Sequence, residues 1–221
     1  MAGSITLERS EGDGVAFLTL SNPAKLNAID IAMWRELHAL MLHLQALPPE
    51  DAPHAVILRG AGGQFASGGD IVEFANFRFE EHSLRDFHEN VVAPALHALL
   101  DCDIPLYAQI EGACIGGGLE IAACCDIRIC GEGSRFGAPI ARLGFPMAPL
   151  EIDVVARLAH EPLMREMLLE ARLLTAAAAL QHGLRERDLL AKWSGDQFIA
   201  LLAGGDATTV RMVGERLRAL V

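Results

Sequence analysis

The chain has 221 residues, a formal net charge of −11, 52% hydrophobic residues and 5% aromatic ones. That length suits one domain with a real core, built from Ala, Leu, Ile and Val rather than large rings. Acidic charge without a basic stripe excludes nucleic acid and an anionic membrane surface as partners; a start without signal-peptide features and the lack of an apolar run of bilayer length give a cytoplasmic protein as the expectation.

ITLERS and VAFLTL flank the turn EGDG and read as an opening hairpin. SNPAKLNAID breaks the pattern, and Asp30 then caps a helix over about 31 to 47, with Trp34, Leu37, Met41 and Leu44 on one face and Pro48-Pro49 as its stop. HAVILRG is a short apolar strand of the kind covered on both sides. The glycine-rich AGGQFASGGD follows, and then a polar, poorly periodic segment over 76–82 that reads as mobile or as an active-site flap. A helix is expected over 83–100, then the strand PLYAQIEG, a helix starting inside GGGLEIAACC, and the strands DIRICG and SRFGAP.

Strands alternating with helices imply parallel pairing through helical crossovers, hence an α/β domain. From about residue 149 the segments EIDVVARLA, PLMREMLLEA, AAAALQHG, DQFIALLA and ATTVRMVGERLRALV all read as helical, with no further strand. The expected division is a core over 1–160 and a helical segment over 161–221. The five cysteines have no C-x-x-C pair and no matching histidine spacing, so no metal site and no disulfide framework is expected.

Both glycine loops follow a buried strand and precede a helix, which in a parallel sheet puts them at the strand carboxyl ends where such folds build sites. Loops without bulky side chains let backbone N–H groups approach a ligand, and two amides aimed at one point form an oxyanion hole. Glu120 lies in the first turn of the second helix among Leu119, Ile121 and Ala122. Burial raises a carboxyl pKa and a helix N-terminus lowers it, a balance that suits a proton carrier near neutral pH.

SNPAKLNAID, QFASGGDI, EGACIGGGLEIAACCDIRI and SRFGAPIARLGFP, in this order, resemble the crotonase superfamily, the enoyl-CoA hydratase and isomerase family. The resemblance implies a crotonase-like spiral of strand–strand–helix turns with a C-terminal helical segment used for a homotrimer or hexamer. It implies an acyl-CoA thioester as substrate, with no cofactor beyond the coenzyme A that the substrate carries. The amides of Ser67 and Gly117 match the family's oxyanion donors. Lys25 and Leu26, with Ala66, Ser67, Gly68, Gly69 and Asp70, match the stretch that receives nucleotide and pantetheine. Glu120 matches one of the two hydratase glutamates.

The second glutamate is expected after the proline of FGAPIARLG, where this chain has Ile140. FPMAPLEID supplies Glu151 and Asp153 a little later, and Glu151 reads either as a replacement partner or as a helix-start charge favoured by the dipole. The chain is also short beyond Leu184, and RERDLLAKW stands where the family has a Val-rich strand. The favoured function is an enzyme stabilising a thioester enolate, of hydratase type with Glu120 and Glu151, against an isomerase that needs one carboxylate or an acyl-CoA-binding scaffold. A serine peptidase using Ser67 fits poorly, because FASGGD is not the G-x-S-x-G elbow and no histidine falls in a motif.

Overall fold

The computed structural model describes residues 2–182 except 11, 13 and 160, with side chains to residue 179, and the backbone of 189–194 and 197–201. β1 (Ser4–Arg9) and β2 (Val15–Ser21) form the expected antiparallel hairpin, Ile5 opposite Leu20. β3 (Ala55–Gly60), β4 (Leu106–Ile110) and β6 (Ile127–Cys130) join β2 in parallel, giving the order β1-β2-β3-β4-β6. A second sheet, which the sequence pattern did not suggest, pairs β5 (Ala113–Ile115) in parallel with β7 (Arg135–Gly137) and β7 antiparallel with β8 (Leu174–Thr175). β4 and β5 are separated only by a turn through Gly112 at φ 57°, so the expected strand PLYAQIEG ends at Ile110 and the ACI that follows is a separate strand in the second sheet.

Helix α1 (Ile31–Gln45) starts at Asp30, whose carboxylate accepts the Met33 N–H at 2.8 Å, and buries Trp34, Leu37, Met41 and Leu44 as its spacing requires. Each such side chain removed from water contributes about 1.5–3 kcal/mol. SNPAKLNAID is a tightly tied loop: buried Asn27 accepts the Asn22 N–H at 2.9 Å and donates to the carbonyls of Ala61 and Gln64 at 2.8 and 2.7 Å.

The helix expected over 83–100 is interrupted. α2 (Glu81–Phe87) and α3 (Ala93–Leu100) are joined by a wide π-helical turn over His88–Val92, where the Ala93 N–H reaches the His88 carbonyl. Pro94 has no N–H and its ring crowds the carbonyl four residues back, so the widened turn relieves a conflict that a regular helix would keep. α4 (Gly117–Cys124) begins within the glycines as expected, and all its residues are buried. α5 (Pro149–Ala156), α6 (Glu161–Leu169) and α7 (Ala176–His182) follow.

Strands do return after residue 160. Besides β8, β9 (Leu189–Ser194) and β10 (Gln197–Leu201) form an antiparallel hairpin, so the QFIAL of DQFIALLA is a strand and not a helix, and RERDLLAKW does contribute one. Short apolar runs carry no periodicity that separates helix from strand, and here pairing decides. The expected helix ATTVRMVGERLRALV lies outside the described residues. No helix among the described residues is long and apolar enough to cross a membrane.

Candidate active site

The two glycine loops converge. Ala66 bridges Cys114 in parallel, the Ile115 N–H donates to the Ala66 carbonyl at 3.0 Å, and a Cβ on Gly118 would lie 2.8 Å from the Ala66 Cβ. Only glycine allows that approach. Ser67, Gly68, Gly69, Gly116, Gly117 and Glu120 all line one cavity of about 240 Å³.

Gly117 opens α4, and an N–H there has no partner within its helix. The Ser67 N–H is already engaged, donating to the Leu26 carbonyl at 3.1 Å, while Ser67 Oγ donates to the Lys25 carbonyl at 2.8 Å. The Ser67 hydroxyl therefore faces no base, which leaves the peptidase reading without support. The remaining expected coenzyme A contacts divide. Gly68 and Gly69 are on the cavity, whereas buried Ala66 uses both backbone groups between strands and buried Asp70 holds the Lys25 ammonium; Leu26 is exposed at the surface.

Glu120 and Glu151 are both 5% exposed and both on the cavity wall. The two readings of Glu151 turn out to be compatible. At the third position of α5 its Oε2 accepts the Ala148 N–H at 3.3 Å, as a helix-start carboxylate does, and its Oε1 lies 2.5 Å from His88 Nδ1. Ile140 also lines the cavity, and Asp153 is exposed away from it.

Burial, reinforced by the charge of Glu151, holds the Glu120 carboxyl well above its ordinary range, against a smaller opposing pull from Arg78. Two carboxylates that feel each other in a dry pocket do not both ionise readily, and Glu120 is the one driven toward the protonated form.

Two wall residues, His88 and Arg78, escaped the sequence. His88 sits on the π-helical turn, whose signal was Pro94 inside an otherwise helical run. Arg78 comes from the 76–82 segment, which is anchored by Phe77 stacked on Phe87 at 4.1 Å and 17°. The segment is thus a wall of the cavity. Burial lowers the Arg78 pKa, and the charges of Glu151 and Glu120 pull it back up. The thiols serve packing: none of the five cysteines is in a disulfide, and burial pushes Cys125 up to about 12 and Cys130 to about 11.

A family model for enoyl-CoA hydratase/isomerase matches residues 10–189. An enoyl-CoA hydratase domain-containing protein 3 of Danio rerio is 30% identical over 183 residues, covering 83% of this chain and 61% of that protein. A Delta(3,5)-Delta(2,4)-dienoyl-CoA isomerase of Mus musculus is 29% identical, covering 78% of this chain and 55% of its own length. Among solved structures, an enoyl-CoA hydratase/carnithine racemase from Magnetospirillum magneticum is 37% identical with a TM-score of 0.75, over 80% of this chain and 65% of that one. Two mixed, largely parallel sheets wound with helices, carrying converging glycine loops and a buried carboxylate, define a crotonase fold. The chain belongs to the enoyl-CoA hydratase/isomerase family, and spans under two thirds of the length of these curated relatives.

Proposed function

We propose that the chain carries a hydratase site that adds water across the double bond of a 2-enoyl-CoA thioester. The observation that carries this reading is the placement of Glu120 and Glu151 on one cavity wall beside the glycine loops. The thioester oxygen lies against the Gly117 N–H, and the Ser67 N–H, which here donates to the Leu26 carbonyl at 3.1 Å, is the second donor that the family resemblance implies. Each such donor contributes roughly 3 kcal/mol of transition-state stabilisation. Lys25, Leu26 and the 67–69 loop are the coenzyme A side of the site.

In this mechanism Glu151, oriented by His88 and the Ala148 N–H, takes a proton from water as the hydroxyl bonds to C3. Glu120 donates its proton to C2 as the enolate collapses, and proton transfer from Glu151 to Glu120 restores the pair. Glu151 therefore occupies, from another helix, the role lost at Ile140.

Glu151→Gln is expected to lower kcat for water addition to crotonyl-CoA by about 10²- to 10⁴-fold. A variant with full hydration activity would show that Glu151 only caps α5. Loss of hydration with retained conversion of 3-enoyl- to 2-enoyl-CoA would assign a one-carboxylate isomerase, and binding without turnover in the parent would assign a scaffold. The segment after residue 160 is proposed to hold a homotrimer or a dimer of trimers; light scattering at micromolar concentration is expected to give three or six chains, and a monomer would refute it.

A further inference from the structure

The cavity wall carries a cation that, among the described residues, is held by two aromatic rings and by no hydrogen-bonded carboxylate. The Arg78 guanidinium lies 4.2 Å from the Phe74 ring centroid and 3.3 Å from that of Phe145. Its Nε is buried without a hydrogen-bond partner, and among the described residues its side chain makes no hydrogen bond or ion pair. Glu151 feels its charge, but the Glu151 oxygens are hydrogen-bonded to His88 and the Ala148 N–H and not to Arg78. The wall beyond the polar groups is apolar, with Ile71, Val92, Ile115, Leu143 and Met147.

A buried N–H without a hydrogen bond is unfavourable, and the Arg78 Nε is one on a half-buried side chain. Aromatic rings over a guanidinium leave its donors pointing outward in the plane, the arrangement that fits the two oxygens of a carboxylate. With Glu120 driven toward its neutral form, the pocket also has room for one more negative charge.

We propose that Arg78 receives a carboxylate at the far end of the acyl chain, so that the substrates are enoyl-CoA thioesters of short dicarboxylic acids. This rests on the acyl-CoA reading above and narrows it. The rival roles for Arg78 are counter-ion to the two glutamates and contact to a phosphate of coenzyme A.

The test compares glutaconyl-CoA, which is crotonyl-CoA with a carboxylate on its terminal carbon, with crotonyl-CoA and with hex-2-enoyl-CoA as a neutral length control. In the parent, kcat/KM is expected to favour glutaconyl-CoA by roughly 10- to 100-fold, the range of a hydrogen bond to a charged group. Arg78→Met is expected to bring that ratio close to one, and Arg78→Lys to leave it intermediate. A parent that treats the substrates alike overturns the proposal whatever the variants do. So does an Arg78→Met loss shared equally by all substrates, which marks a counter-ion, or one that weakens inhibition by free coenzyme A, which marks a phosphate contact. Calorimetric binding of glutaryl-CoA and butyryl-CoA separates this inference from the hydratase reading, because neither ligand has a double bond to hydrate. Preference for glutaryl-CoA that disappears in Arg78→Met supports the anion site even if no enoyl-CoA is turned over; equal affinities overturn it.

Discussion

Glu120→Gln is expected to abolish most turnover, lowering kcat by about 10²- to 10⁴-fold, while thioester binding stays within a few-fold. In the proposed mechanism, binding rests on backbone amides and apolar walls, and chemistry rests on the carboxyl. The same substitution is expected to stabilise the fold at neutral and alkaline pH. Burial raises the folded-state pKa of Glu120 above its ordinary value of 4.5, so the native state holds this proton more tightly than the unfolded chain does. The stability linked to it is complete below about 4.5 and is lost as pH rises through the raised folded pKa. Glutamine, neutral at every pH, escapes that loss. Melting temperatures followed from pH 4 to pH 9 should therefore fall for the parent relative to the variant as pH increases. Turnover within tenfold of the parent would remove Glu120 from the mechanism, and parallel melting curves would remove the buried proton from the account.

Gly60→Ala is expected to be the most damaging small substitution in the core. A Cβ at this position would lie 1.8 Å from the Gln64 carbonyl oxygen, 2.4 Å from that of Phe65 and 2.7 Å from the Phe65 Cα. All three are backbone atoms, so no side-chain rotation relieves the clash. The Gln64 carbonyl is further held by the Asn27 amide at 2.7 Å, and Phe65 is fully buried. Overpacking of this kind costs about 3 kcal/mol, which in a domain of this size lowers Tm by roughly 6–12 °C. Because 64–65 leads directly into the Ser67 loop, kcat should fall as well. Gly133→Ala is the control, since nothing lies within 4 Å of its Cβ and its φ is not positive. Equal melting temperatures for the two variants would show that the 60–65 turn has slack.

Gly60 illustrates what a linear pattern does not hold. It ends an unremarkable apolar strand, and only the return of the chain over it makes the missing Cβ necessary. GGGLE is the opposite case, because a helix start, close approach and a carboxylate in the first turn are all local properties. The opening hairpin, the Asp30-capped helix, the parallel strands and Glu120 were legible for that reason: capping, turn chemistry and apolar periodicity act within a few residues.

The second sheet was not legible, because three-residue β5 and two-residue β8 acquire their conformation from pairing with β7 rather than from their own composition. The same holds for the β9–β10 hairpin, where a short apolar run is equally consistent with a helix. By itself, then, the sequence determined the α/β class, the order of the core elements, the two glycine loops and one buried carboxylate beside them. The tertiary structure alone decided that Glu151 shares the wall with Glu120, that His88 orients it and that Arg78 stands there between Phe74 and Phe145. These four groups lie on four separate segments, and their charges meet only after the chain has brought them to one cavity, where low polarity lets them act on one another.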